Sequence, residues 1–266
     1  MQSCRFANRK LFTVALLGLF SLSAGNAEEV GKALSKAEIE QIVHDYLLQH
    51  PDIVIESTQS FQRRAEAARQ RQAEEALKAR QEDLLHDSAS PVLEAAVRAG
   101  KGVAIVEFFD YRCGYCKRIS PTVTKMLADN PEARLIFKEL PILGPESIMA
   151  AKAALAANKQ GAYAKFHDLF MDSAEPVTPA TVEQAAAKLG LDVPRLKADM
   201  ESPEIQKSLD RNCDLASALG LNATPTFVIG EDIISGAMDA AAFQSLITKA
   251  QTRNDGGAHS PEKAGY

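Results

Sequence analysis

IVEFFDYRCGYCKR, residues 105–118, begins as an almost wholly apolar run and ends in two cysteines spaced C-x-x-C. That order predicts a buried strand, a tight turn and then a helix, with Cys113 at the helix start and Cys116 one turn inside. The first turn of a helix carries backbone N–H groups with no intrahelical partner and the positive end of the helix dipole. A thiolate placed there is stabilised, and the thiolate is the form that attacks disulfides. Thiol–disulfide exchange is therefore the first chemistry to expect of the chain.

Around this motif, composition narrows the choices. Arg5, Arg9 and Lys10 precede an apolar run from Leu11 to Phe20, which is too short to span a bilayer. With Gly25-Asn26-Ala27 behind it, residues 1–27 read as a signal peptide cleaved after Ala27, and Cys4 is discarded with it. Removal of three basic and no acidic residues takes the net charge from −5 to −8. So acidic a chain argues against nucleic acid as a partner. Export places the chain in an oxidising compartment, where disulfides persist, yet it keeps only Cys113, Cys116 and Cys213. That is too few for a stapled scaffold, and a C-x-x-C beside a βα pattern then means redox catalysis.

Residues 28–88 read as a helical N-terminal region. Ser35 and Glu38 form a capping box ahead of Ile39, Ile42, Val43, Tyr46 and Leu47 at helical spacing. His50-Pro51 ends that helix, and a second runs from Pro51 towards Leu85. Ile53, Val54, Ile55 and Phe61 are apolar, but Gln62 to Asp83 offers only Leu77 as a large aliphatic, so this half reads as an exposed strut. Residues 89–253 read as an α/β domain. Its strands are expected at 103–109, 134–139, 226–229 and 233–235, with helices at 113–129 and 240–252. A helical insertion spans about 146–220, as helices at 147–160, 162–171, 179–190, 193–200 and 203–219. Residues 254–266 read as a disordered tail.

Strand, C-x-x-C, helix, strand, a helical block, then two strands and a helix is a thioredoxin fold with a helical insertion, preceded here by an α-helical extension. The chain resembles the DsbA-like family of bacterial periplasmic disulfide oxidoreductases, and within it the ScsC-like branch that carries an N-terminal extension. IVEFFDYRCGYCK at 105–117, ELPILG at 139–144 and LGLNATPTFVIG at 219–230 carry the likeness, and HDYLLQHPDIVIES at 44–57 resembles the extension of that branch.

Cys113 is then the expected nucleophile and Cys116 the resolving thiol, close enough for a disulfide. Glu107 is a carboxylate inside an apolar strand, so burial should raise its pKa. The resemblance implies that it handles the proton of Cys116. Between the cysteines, Gly114 and Tyr115 are expected to meet substrate. Strongly oxidising relatives carry histidine where Tyr115 stands, and Cys-Gly-Tyr-Cys resembles the site of DsbC-type isomerases. Thr224-Pro225 is expected to be a cis-proline pair facing the dithiol and gripping an incoming chain. Cys213 reads as a small buried hydrophobe. Zinc needs about four ligands; the cysteines form one pair and His44, His50, His86, His167 and His259 are scattered, so neither metal nor cofactor is expected. Phe166, Phe170 and Met171 read as core of the insertion.

These readings converge on a periplasmic thiol–disulfide oxidoreductase, isomerase or reductase in character. Its expected partners are proteins with cysteines or non-native disulfides, together with a membrane redox partner. Residues 28–61 are expected to build a homo-oligomer, and the resemblance implies a trimer, as in some ScsC-like relatives. The alternatives are a monomeric dithiol oxidase and a copper(I)-sequestering thiol protein.

Overall fold

The computed structural model describes residues 34–94 and 102–257. The expected signal peptide over residues 1–27 lies outside the described residues, as does the tail from residue 258. The chain divides after Phe61 into two compact units. No helix among the described residues is long and apolar enough to cross a membrane.

The first unit holds α1 (Lys36–Gln49) and the opening turns of α2 (Pro51–Ala79). Ser35 caps α1 as its capping box requires. Its hydroxyl accepts the Glu38 N–H at 3.3 Å, and the Glu38 carboxylate accepts the Ser35 N–H at 2.8 Å. No residue of α1 is buried. The apolar residues at helical spacing point into open space instead: Ile42 is 55 % exposed, Leu48 69 % and Phe61 67 %.

In the second unit α2 continues through charged and alanine-rich turns, largely exposed, until Ala76 and Leu77 pack against a core. The helix expected to reach Leu85 is interrupted at Arg80, the N-cap of a short α3 (Gln81–Leu85). A five-stranded sheet follows. Its order is β1 (Val92–Glu94), β3 (Arg134–Glu139), β2 (Ala104–Phe109), β4 (Thr226–Ile229) and β5 (Asp232–Ser235). Only β2 and β3 run parallel. The edge strand β1 was not expected, since three residues are too few to show an alternation. Gly230, at φ 62°, makes the turn between β4 and β5 in the left-handed region that other residues avoid.

Both faces of the sheet are covered, which is why Ile105–Phe109 reads as a continuous apolar run. Ile105, Phe109, Leu135, Phe137, Phe227 and Ile229 face α4 (Gly114–Asp129), the helical insertion and α10 (Ala240–Gly257). Val106, Phe108, Ile136 and Val228 face Leu77, Leu84 and Leu215. The insertion comprises α5 (Pro145–Asn158), α6 (Tyr163–Asp172), α7 (Pro179–Lys188), α8 (Val193–Met200) and α9 (Pro203–Ala218), close to the expected bounds. Phe166, Phe170 and Met171 lie in its core. The last helix runs to Gly257, so the first residues assigned to a disordered tail are helical.

Alternation hides two charged residues in β3. Lys138 is buried on the Leu77 face, where its ammonium donates to the Asp83 carbonyl at 2.7 Å and to Ser90 Oγ at 2.8 Å, with Asp87 at 3.6 Å. Glu139 is buried on the other face. Cys213, expected as a buried hydrophobe, is exposed. The inward position of α9 belongs to its neighbour Asn212, whose amide donates to the Glu139 carbonyl at 3.1 Å.

Candidate active site

The apolar pull on both faces of β2 ends at Phe109, and the chain turns through Asp110, Tyr111 and Arg112 into α4. Asp110 holds this turn. Its carboxylate accepts the Arg112 N–H at 2.7 Å, the Leu143 N–H at 3.0 Å and the Ser147 hydroxyl at 2.7 Å, and its carbonyl accepts the Cys113 N–H at 3.0 Å. Cys113 is thereby the N-cap of α4 rather than its first helical residue. Its sulfur accepts the Cys116 N–H at 3.4 Å, using one of the donors that a helix start leaves unpaired.

On its other side the Cys113 thiol donates to the Thr224 carbonyl at 3.2 Å. The Thr224–Pro225 peptide bond is cis, as expected from the sequence. The nucleophile is therefore held between a helix start and the backbone beside a cis-proline. Although expected to be the open thiol, Cys113 is only 7 % exposed. Both cysteines are free thiols.

Cys116 sits behind, fully buried. Burial pushes its thiol up, and the neighbouring Cys113 thiol and the Glu107 carboxyl push it the same way, against an opposing backbone hydrogen bond with Asp110. Glu107 faces the same side of the sheet as Ile105 and Phe109 and is buried, so desolvation alone pushes its carboxyl up to about 8. A carboxyl near that value exchanges its proton in the neutral range. The arrangement thus joins a poised sulfur, a buried second thiol that must lose a proton before it can attack, and a buried acid with suitable proton affinity.

Gly114 and Tyr115 border this centre. A side chain at Gly114 would meet nothing within 4 Å, so the position is open towards solvent. Tyr115 is 58 % exposed, with the Arg118 guanidinium 4.6 Å above its ring. Lys117 turns inward. Its ammonium donates to the carbonyls of Phe170 and Ser173, at 2.5 Å and 2.7 Å, and ties α4 to α6.

Sequence reasoning missed a polar cluster beside the dithiol. Tyr111 and Tyr163 donate to one Glu139 carboxylate oxygen at 3.2 Å and 2.7 Å, and the Tyr111 hydroxyl meets His167 Nδ1 at 3.2 Å. Burial holds the His167 imidazole down to about 3, so it is neutral. The one available signal was the charged Lys138-Glu139 pair closing an apolar strand. Among the described residues no group of three or more His, Cys, Asp or Glu stands close enough to hold a metal ion.

Comparison with known proteins bears on the family and the fold. The family of DSBA-like thioredoxin domains matches residues 104–248, and the copper resistance protein ScsC N-terminal domain matches residues 36–68. A thioredoxin-like oxidoreductase from Silicibacter pomeroyi is 37 % identical, with a TM-score of 0.61 over 64 % of this chain and 97 % of that one. A linker-deletion variant of Proteus mirabilis ScsC is 27 % identical, with a TM-score of 0.63 over 83 % of this chain and 98 % of that one. Among curated proteins, Na(+)/H(+) antiporter NhaA 3 of Salinispora tropica is 30 % identical over 58 % of this chain. This chain spans only 25 % of that antiporter's length.

Proposed function

The chain belongs to the DSBA-like thioredoxin domain family, and from that premise we propose that it is a periplasmic thiol–disulfide oxidoreductase acting as an isomerase or reductase of misfolded proteins. One observation carries the reading: the Cys113 sulfur lies between the Cys116 N–H and the Thr224 carbonyl, beside the cis bond to Pro225. The Cys113 thiolate attacks one sulfur of a substrate disulfide. A mixed disulfide forms and the other substrate sulfur leaves as a thiolate. Isomerisation follows when that or another substrate thiolate attacks the substrate sulfur of the mixed disulfide and releases Cys113. Reduction follows when the ionised fraction of Glu107 takes the proton of Cys116 and the Cys116 thiolate attacks the Cys113 sulfur, which closes the Cys113–Cys116 disulfide and frees the reduced substrate. A membrane redox partner then returns two electrons.

Two features support isomerase over strong oxidase. Tyr115 adds no positive charge beside the sulfur, so the reduced form lacks the extra stabilisation that makes a disulfide strongly oxidising. Thr224 supplies a polar side chain beside the cis-proline, where the resemblance gives strong oxidases an aliphatic one. Incubation with scrambled ribonuclease and a redox titration test the reading. The chain should restore native disulfides and equilibrate at a potential more reducing than about −120 mV, the value of a strong dithiol oxidant. A potential at that value with no unscrambling would establish the oxidase instead.

The first unit is where we place the assembly surface. Its apolar residues Ile39, Ile42, Val43, Tyr46, Leu47 and Phe61 are all exposed in the single chain. Exposed apolar residues in this number on one short segment suit a protein–protein contact. Burial against copies of itself recovers about 25 cal/mol per Å² of apolar area. In a homo-oligomer, a trimer by the ScsC-like resemblance, several Cys113 sites would surround one substrate. The double substitution Ile39→Asp with Val43→Asp should lower the mass seen by light scattering to that of one chain. An unchanged mass would rule this surface out.

A further inference from the structure

Glu139 ends β3 with no cation near its carboxylate among the described residues, and the exchange steps above do not use it. It is not an isolated buried acid. Tyr111 and Tyr163 converge on one of its oxygens at 3.2 Å and 2.7 Å, and His167 Nδ1 meets the Tyr111 hydroxyl at 3.2 Å. Tyr163 and His167 come from α6, Tyr111 from the turn that carries the dithiol. Burial, with the neighbouring acids Asp110 and Glu107, pushes the Glu139 carboxyl up, against the opposing hydrogen bonds from Tyr163 and Tyr111. The ring of Tyr111 is packed edge-on against Phe109, His167 and Phe170, at centroid separations of 5.1, 5.5 and 5.9 Å.

Tyr111 lies two residues before Cys113 and directly follows Asp110, whose carbonyl accepts the Cys113 N–H. Whatever fixes Tyr111 therefore fixes the origin from which the Cys113 sulfur is projected. We propose that Glu139, through the hydroxyls of Tyr111 and Tyr163, is a positioning residue for the dithiol, anchoring the Asp110–Cys113 turn to the insertion so that the reduced sulfur meets both the Cys116 N–H and the Thr224 carbonyl. The proposal rests on the exchange reading above and adds to it the element that sets the redox poise. In the oxidised protein the S–S bond itself fixes the Cys113 sulfur. In the reduced protein only the turn does so. A clamp on the turn thus stabilises the reduced form more than the oxidised form and raises the potential. A contact that merely supports the scaffold stabilises both forms equally and cancels from the potential.

The full chain is equilibrated in glutathione buffers and the oxidised fraction is read by alkylation and mass spectrometry. Tyr111→Phe with Tyr163→Phe keeps the aromatic packing and removes only the two hydroxyls. This double variant should move the equilibrium at least threefold towards the disulfide, about 14 mV at 29.6 mV per tenfold. Glu139→Leu should move it in the same direction. Glu139→Gln, which keeps an acceptor oxygen for both hydroxyls, should recover more than half of the leucine shift. If the variants melt at lower temperature but equilibrate as the unmodified chain does, Glu139 is scaffold only and the proposal is overturned. If the unmodified chain never forms a Cys113–Cys116 disulfide, the exchange reading itself is overturned and this proposal with it.

Discussion

Cys113→Ser should reduce disulfide exchange to background, whereas Cys116→Ser should keep the first attack and trap the substrate on the protein. The asymmetry follows from position. The Cys113 sulfur has the Cys116 N–H on one side and the backbone of the Thr224–Pro225 pair on the other, so it alone is placed to meet an extended chain. Cys116 is fully buried and its thiol is pushed up by burial, so it attacks only a sulfur already bonded to Cys113. In the Cys116→Ser variant, mixed disulfides should accumulate on non-reducing gels and net reduction should stop. Unscrambling should continue, because substrate thiolates can still release Cys113. Equal loss in the two variants would mean that exchange always runs through the internal disulfide, and the isomerase reading would fail.

Glu107→Gln should stabilise the fold and slow the chemistry together. Burial raises the Glu107 carboxyl from 4.5 to about 8 in the native state. Between those values the unfolded chain gives up this proton while the native chain keeps it, so stability falls as pH rises. The favourable contribution of the neutral acid is complete below the unfolded value and lost as pH climbs through the native one. At neutral pH the loss relative to an uncharged isostere is about 3 kcal/mol, from 1.36 kcal/mol per pKa unit. Denaturant unfolding should therefore show Glu107→Gln more stable by roughly that amount at neutral pH, with the gain vanishing in acid. Without a proton acceptor beside Cys116, release of the mixed disulfide should slow by about a hundredfold, the usual scale of general base catalysis. A variant with unchanged stability and unchanged release would mean that Glu107 neither holds nor moves that proton.

What was legible in the sequence is what short-range pattern carries. The apolar run of β2, its ending in C-x-x-C and the proline before β4 are local signals, and they placed Cys113, Cys116, Glu107, Thr224 and Pro225 around one centre. The insertion helices were equally plain, with Pro145, Pro179 and Pro203 each standing at a first helical turn. What stayed hidden depends on which residues meet across the fold. β1 has three residues and gains its place only by pairing with β3. Lys138 and Glu139 look like the polar end of a strand until both sheet faces are seen to be covered. Cys213 faces solvent while Asn212 faces inward because a one-residue step on α9 separates the interior from solvent. The clamp at Tyr111 unites residues from β3, α6 and the β2–α4 turn, and no spacing in the chain announces it.

Competition among the three thiols for a limiting alkylating reagent, with the modified residue identified by mass spectrometry, tests most directly whether Cys113 is the attacking sulfur. Cys213 is the most exposed of the three, but burial of its sulfur and the charges of Asp210 and Asp214 push its thiol up. Cys116 is sealed within the core. The label should fall on Cys113 first and leave Cys116 untouched. Labelling of Cys213 ahead of Cys113, or of all three thiols at equal rates, would contradict the assignment of Cys113 as the attacking sulfur at the helix start.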